Sequence, residues 1–311
     1  MKVSVIIPAY NNAQHLHECL TSVLAQNFQD MEILIADDCS TDHTADIIRD
    51  FAAKDPRIRW WRNPRNLGLT PNHNACLREV RGEFIKSFHA DDKFLHPDAL
   101  ARMVEILEKY PTVSLVCTGA EHMDGNSKLL TPQEDFWLAG NYDGKAAIVR
   151  CLEHNANLIG EPSRVMFRRN QAHRGYDERY RQLMDMELGF HLLEQGEFAY
   201  TTERLVSFRI HPGQATAHHH RLGICENELL LLVTEYCAKP WLPQYFSRRM
   251  FFKQIYYLRK NYGSRAAALA AGLMIRLKPA WYMAYWLEHK LIHPINKLRR
   301  RRYRKAVRTR G

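Results

Sequence analysis

Three short apolar runs, each closing on a polar turn, limit what this chain can fold into more than any other feature. They are Val3-Ser-Val-Ile-Ile-Pro-Ala-Tyr-Asn-Asn12, Glu32-Ile-Leu-Ile-Ala-Asp37-Asp38-Cys-Ser-Thr-Asp42 and Phe84-Ile-Lys-Ser-Phe-His-Ala-Asp91-Asp92. A continuous apolar run of this length is the pattern of a strand covered on both faces, as in parallel sheets. Open α/β sheets bind ligands outside the carboxyl ends of their strands, where the two acidic pairs fall. Carboxylates there suit a ribose, a base and a divalent metal on a diphosphate. The runs therefore point to a metal-dependent enzyme with a nucleotide-linked substrate.

The surrounding pattern is consistent with an α/β fold, a mostly parallel sheet flanked by helices. Strands are expected at 3–8, 31–36, 58–61, 83–88, 113–118, 163–168 and 198–210. The intervening helices are expected at 14–26, 45–54, 71–81, 97–110, 145–152 and 184–195. Thr41 and Asp42 are capping types before the second helix, and Pro97 suits the first turn of the fourth. From about 121 to 160 the pattern is broken by Gly125, Pro132, Gly140 and Gly144, and reads as a variable connection. Beyond His220 it becomes helical (222–237, 244–261, 265–277, then from Pro279). We expect a catalytic domain at 1–217 and a helical C-terminal appendage at 218–311.

Charge is unevenly spread. The net charge is +10, and ten Lys/Arg with no Asp or Glu lie between Lys290 and Gly311, so the rest of the chain is balanced at 34 bases and 34 acids. Seven scattered cysteines with no Cys-x-x-Cys pair argue against a zinc knuckle and suit reduced thiols. The first strand begins at once, and no window reaches eighteen apolar residues. The expected location is cytoplasmic, peripheral on the inner face of the membrane. In support, Tyr282, Tyr285, Trp286, His289 and Ile292 make a stripe beside the basic tail, which suits packing against the parent domain or an anionic surface.

The motifs together resemble the family-2 inverting glycosyltransferases of the GT-A (Rossmann-like, nucleotide-diphospho-sugar transferase) fold, of the type that builds bacterial surface polysaccharides. The resemblance covers about residues 1–215. It implies that Pro8, Ala9, Tyr10 and Asn11 wrap the nucleotide. It also implies that Asp38, in Ala-Asp-Asp-Cys-Ser-Thr-Asp, accepts a hydrogen bond from a uracil- or thymine-type base; Cys39 stands where the family usually has glycine. Asn66 and Gly68 resemble the segment closing over the donor. His89-Ala-Asp91-Asp92 resembles the D-x-D-type metal motif, with Asp92 the Mn²⁺ or Mg²⁺ ligand and Asp91 a ribose or sugar contact. Met184-Asp185-Met-Glu187-Leu resembles the Glu-Asp-x-Glu-Leu signature, whose Asp is the general base; Met184 replaces an acid. His211, in the Arg-x-His turn, is a candidate metal or diphosphate contact. Asp177, Glu178 and Glu187 fall on the acceptor side. The implied reaction moves a sugar from a nucleotide-diphosphate donor, UDP-linked in preference, to a glycan or lipid-linked acceptor in lipopolysaccharide, capsule or exopolysaccharide synthesis.

Plainer readings stand beside these. Asp42 suits a helix cap, Asp177 or Glu178 a surface salt bridge, and His218-His219-His220 a solvated loop. A nicotinamide oxidoreductase needs Gly-x-Gly-x-x-Gly after its first strand, and this turn is Pro-Ala-Tyr-Asn-Asn. A specific nucleic-acid binder needs a basic face on its body, which the balanced charge denies. A non-catalytic sugar-nucleotide-binding scaffold predicts binding without transfer.

Overall fold

The first strand, β1 (Val3–Ala9), is buried at every position, as its unbroken apolar run requires. In the computed structural model it lies between β2 (Met31–Asp37) and β4 (Phe84–Ser87), parallel to both. The described residues are 1–250, apart from 134–136, 215, 217–218, 220–221, 223, 244–245 and 247–249. Two compact units divide the chain, Met1–Glu228 and Leu229–Gly311. The helices expected at 265–277 and beyond Pro279, the Tyr/Trp stripe, the basic tail and nearly all of 244–261 lie outside the described residues.

Among the described residues the first unit carries a ten-stranded sheet. Its other strands are β3 (Ile58–Arg62), β5 (Lys93–Phe94), β6 (Val113–Met123), β7 (Leu129–Pro132), β8 (Gly140–Tyr142), β9 (Val165–Arg168) and β10 (Glu197–Arg209). The order is β3-β2-β1-β4-β9-β6-β10-β5, with β7 on β6 and β8 on β10. Helices α1 (Ala13–Leu24), α2 (Thr44–Ala52) and α3 (Leu69–Glu79) link the parallel strands β1 to β4. β9 is antiparallel to both neighbours, and β6 and β10 are parallel to each other. Helices α4 (Ala99–Lys109), α5 (Gly144–His154), α6 (Met184–Leu193) and α7 (Ile224–Cys237) complete the list.

One core forms where Val3, Val5 and Ile7 of β1 meet Leu16, Leu20 and Val23 of α1 and Leu100, Met103 and Leu107 of α4. The apolar positions of α1 recur at three and four spacing, so one stripe faces the sheet. The helix expected at 145–152 is α5, capped by Asp143, which accepts from the Ala146 N–H, but the 121–160 segment holds more strand than its pattern suggests: β6 extends to Met123, and β7 and β8 add edges. Backbone pairing across the sheet, which local pattern does not register, supplies that order.

Candidate active site

The β1–α1 and β2–α2 turns lie side by side because their strands pair through Ala9 and Asp37. Side chains then stitch them together. Asn11, at φ 51°, accepts the Thr41 N–H at 2.8 Å, and its own N–H donates to Ser40 Oγ at 3.0 Å. Asp42 accepts from the Ala13 N–H at 3.0 Å and from Thr44 N and Oγ1. It therefore binds the first turn of α1 as well as its own loop, which answers unpaired helix N–H groups. Pro8 and Ala9 are buried at the end of β1, and Tyr10 is 47% exposed just beyond them.

Asp38 is buried, and its carboxylate organises the segment 66–68. Oδ1 accepts from Leu67 N at 2.8 Å and Asn63 Nδ2 at 2.8 Å; Oδ2 accepts from Gly68 N at 2.9 Å. Asn66 Nδ2 donates to the Asp38 carbonyl. A carboxylate has about four lone-pair sites, so Oδ2 keeps acceptor capacity. Gly68, at φ 93°, caps α3, a conformation side chains disfavour. Cys39 also has a positive φ, 62°, which is why glycine suits this position and why cysteine there is strained.

Beyond β4, the turn 89–92 gathers His89, Asp91 and Asp92, whose ligand atoms lie within 4.8 Å of one another. Asp92 Oδ1 accepts from Arg209 N at 2.8 Å, while Oδ2 and His89 Nε2 are buried without a partner. Burial and the neighbouring Asp91 charge push the Asp92 carboxyl well above the usual range. Burial would also raise Asp91, but the hydrogen bond from His211 Nε2 at 3.1 Å prevails and holds it low. Two orphaned ligand atoms converging with an ionised carboxylate fit a hard divalent cation, since carboxylates suit Mg²⁺ and Mn²⁺. His211, expected as a metal or diphosphate contact, reaches Asp91 of the acidic turn, and its ring lies 5.1 Å from that of His15.

Arg209 holds this turn from below. Its guanidinium is wholly buried; Nε donates to the Asp91 carbonyl at 2.6 Å, Nη1 to the Asp124 carbonyl and Ser127 Oγ at 3.0 Å, and Nη2 to Glu18 Oε2 at 2.6 Å. Burial opposes ionisation of Glu18, yet bonds from Lys93, Ser127 and Arg209 hold it at about 2. Lys86, buried in β4 beneath the same turn, donates to the carbonyls of Ser163 and Val165. Ser163 Oγ in turn accepts the His89 N–H at 2.9 Å, and burial lowers the Lys86 ammonium to about 7.

A column of rings runs from His89 to His73, with centroids 5.8 Å apart, and on to Tyr176 at 5.2 Å. His73 is fully buried and pushed down to about 3 by burial and by His89. Tyr176 lines a small cavity of about 10 Å³ together with Asp185. Asp185 opens α6; Oδ1 accepts the Met186 N–H at 2.8 Å and Oδ2 accepts Asn157 Nδ2 at 3.0 Å. Burial pushes its carboxyl up to about 7, with Glu161 adding to the rise. A carboxylate near neutrality is suited to proton transfer.

The acceptor-side residues each have a protein partner. Asp177 takes the guanidinium of Arg179 at 2.6 Å, Glu178 Oε1 accepts from Asn74 at 3.1 Å, and Glu187 accepts Arg174 at 2.7 and 2.9 Å. Arg209, Glu18, His73, Lys86 and Asn157 were not picked out from sequence. Two carry a signal, Lys86 as a charge inside the apolar run of β4 and Arg209 as the arginine of the Arg-x-His turn; the others meet their partners across long sequence separations.

Acid-tipped parallel strands, an acidic turn after β4 and a carboxylate of raised pKa at the head of α6 define the GT-A class of nucleotide-diphospho-sugar transferase folds. The comparisons carry this further. The profile described as glycosyl transferase family 2 matches residues 4–172, and the chain belongs to that family. The putative teichuronic acid biosynthesis glycosyltransferase TuaG of Bacillus subtilis (strain 168) is 30% identical over 215 residues, covering 67% of this chain and 79% of that protein. Chondroitin synthase of Escherichia coli is 34% identical over 42% of this chain, which spans 18% of that protein's length. S. aureus TarS 1–349, solved with UDP-GlcNAc, superposes with TM-score 0.66 at 16% identity, covering 92% of this chain and 79% of TarS. The mannosyltransferase PcManGT of Pyrobaculum calidifontis, solved with GDP-Man and Mn²⁺, gives TM-score 0.59 at 18% identity over 93% and 87%. At such identities the two structures establish the shared fold. Among the described residues no helix is long and apolar enough to cross a membrane.

Proposed function

We propose that this chain is an inverting, metal-dependent glycosyltransferase that moves a sugar from a UDP-type donor to a growing glycan or lipid-linked acceptor. The observation that carries the reading is the pairing of an acidic turn with orphaned ligand atoms and a carboxyl raised to about 7 at Asp185. In the reaction the acceptor oxygen attacks the anomeric carbon as the bond to the diphosphate oxygen breaks. Asp185 takes the acceptor proton, worth about 10²–10⁴ in rate for one positioned base. Asp92, Asp91 and His89 would hold Mn²⁺ or Mg²⁺, which when bound neutralises charge on the departing diphosphate. His211 orients Asp91 for that role.

On the donor side, Pro8, Ala9, Tyr10 and Asn11 flank the base and ribose. Asp38 Oδ2 receives the base N–H while Asn66 and Gly68 close over the nucleotide. Asp177, Glu178 and Glu187 line the acceptor side as members of ion pairs or hydrogen bonds rather than as bare acids. Relatives named for chondroitin, hyaluronan and teichuronic acid synthesis support a glycan acceptor in capsule, lipopolysaccharide or exopolysaccharide assembly. The ten-base C-terminal run supports contact with an anionic membrane surface, at up to about 1 kcal/mol for each base that reaches it.

The test is thermal stability with UDP, GDP, CMP and dTDP, each with and without Mn²⁺, beside Asp92→Ala. A nucleotide at about 100 times its Kd stabilises by about 2.7 kcal/mol, a shift of several degrees. A Mn²⁺-dependent UDP shift lost in Asp92→Ala is expected; no shift with any nucleotide overturns the reading. Donor binding with no sugar transfer to any glycan would mark a scaffold instead.

A further inference from the structure

The turn that presents Asp185 is held from far along the chain. Leu183 occupies the N-cap of α6 and its side chain makes no cap bond, so the N–H groups before the helix need acceptors from elsewhere. They find one in Glu228 on α7. Arg181 N donates to Oε1 at 2.6 Å, and Gln182 N and Leu183 N donate to Oε2 at 2.9 and 2.8 Å. Glu228 is 6% exposed, so these are desolvated, charge-assisted bonds, the stronger class. A carboxylate at that end also opposes the positive pole of α6. On the other side of the same turn, Thr70 Oγ1 donates to the Tyr180 carbonyl at 2.6 Å. Three successive backbone groups fixed by one carboxylate leave the chain little freedom before Asp185, two residues on.

We propose that Glu228 is a positioning residue for Asp185: it fixes the backbone of 181–183 so that α6 starts with the base in one orientation. The inference rests on reading Asp185 as the base. It makes the second turn of α7 part of the working site although Glu228 touches no substrate. Glutamine at 228 keeps one carbonyl oxygen and loses the charge and the second acceptor, so the turn loosens while the surrounding packing stays.

The full-length chain is tested as wild type, Glu228→Gln and Asp185→Asn. UDP release is followed from UDP-glucose, UDP-galactose, UDP-N-acetylglucosamine and UDP-glucuronic acid, with water taking the acceptor's place. Expected for Glu228→Gln is a kcat lower by about tenfold or more with KM for the donor within about twofold of wild type, since the nucleotide loops are untouched. A wild-type kcat in Glu228→Gln beside an inactive Asp185→Asn overturns the positioning role and leaves the base assignment standing. A wild-type rate in Asp185→Asn overturns the base assignment itself. Hydrogen exchange gives an arm independent of turnover. In wild type the amides of Arg181, Gln182 and Leu183 should be as protected as those inside α6, and in Glu228→Gln they should exchange at least about tenfold faster. Unprotected amides in the wild type overturn the proposal.

Discussion

Replacing Asp185 with asparagine should stabilise the ligand-free protein at alkaline pH and not at acid pH. Burial moves this carboxyl from 3.8 to about 7, so the folded chain favours the protonated acid. A carboxyl raised on folding contributes stability that is complete below its unfolded value, near pH 4, and lost as pH rises through about 7. Above that, each folded molecule carries an ionised group in a poorly solvated place. The displacement is worth about 4 kcal/mol at 1.36 kcal/mol per pH unit. Asp185 is partly exposed rather than sealed, so solvent screening reduces the testable figure to about 2–3 kcal/mol.

Asparagine imitates the neutral acid imperfectly. Its oxygen can accept the Met186 N–H, but its amide group then meets Asn157 Nδ2, whose partner oxygen already accepts Ile159 N and Gly160 N. That mismatch costs about 1 kcal/mol and does not depend on pH. The quantity to measure is therefore the stability change at about pH 8.5 minus that at about pH 4.5, from urea titrations without nucleotide or metal. We expect a difference of about 2–3 kcal/mol in favour of asparagine at the higher pH, or roughly 5–10 °C in Tm. A difference below about 0.5 kcal/mol would show that Asp185 is not displaced by burial, and would remove the physical basis for its role as a base at neutral pH. The same titration should appear in transfer, with kcat rising through about pH 7 as the base ionises.

Arg209→Met should cost about 3–5 kcal/mol by urea denaturation, because it strands Glu18 and two carbonyls around a buried site; a cost under about 1 kcal/mol would mean the guanidinium does not hold the acidic turn. Cys39→Gly should raise stability by about 0.5–1 kcal/mol, the left-handed strain of about 1–2 kcal/mol outweighing glycine's entropy. A loss of stability in that variant would refute strain at residue 39.

Sequence patterns that depend on neighbours in the chain were legible. The run Val3–Ala9 was read as a covered strand from its own residues, and it is buried at every position. The helix expected at 14–26 rests on apolar residues at 16, 20, 23 and 24; the first three are core side chains and Leu24 packs against them partly buried. The same locality explains what was missed. β7 and β8 are exposed edge strands with no alternation to reveal them; they exist because β6 and β10 offer backbone groups to pair with. Residues 163–168 read as one strand, yet Pro162–Arg164 form a 3₁₀ turn before β9, since Ser163 is drawn to the His89 N–H instead of a ladder.

The site divides along the same line. Asp38, Asp91, Asp92 and Asp185 stand out because each ends or begins a regular element. What makes them a site is contributed at long range: Arg209 under Asp91 and Asp92, Asn157 on Asp185, Glu228 before α6. Buried polar groups need partners, so an acid at a strand end implies that something must satisfy it without saying what. At Asp38 the answer is the N–H groups of Leu67 and Gly68, joined by the Asn63 amide, three hydrogen bonds in all. At Asp92 the Arg209 N–H answers Oδ1, and Oδ2 is left without a partner in a desolvated turn. That contrast separates two kinds of acid that look alike in sequence. The first already has its partners and shapes the turn around it; the second, with one oxygen unanswered, is where the proposed cation would bind.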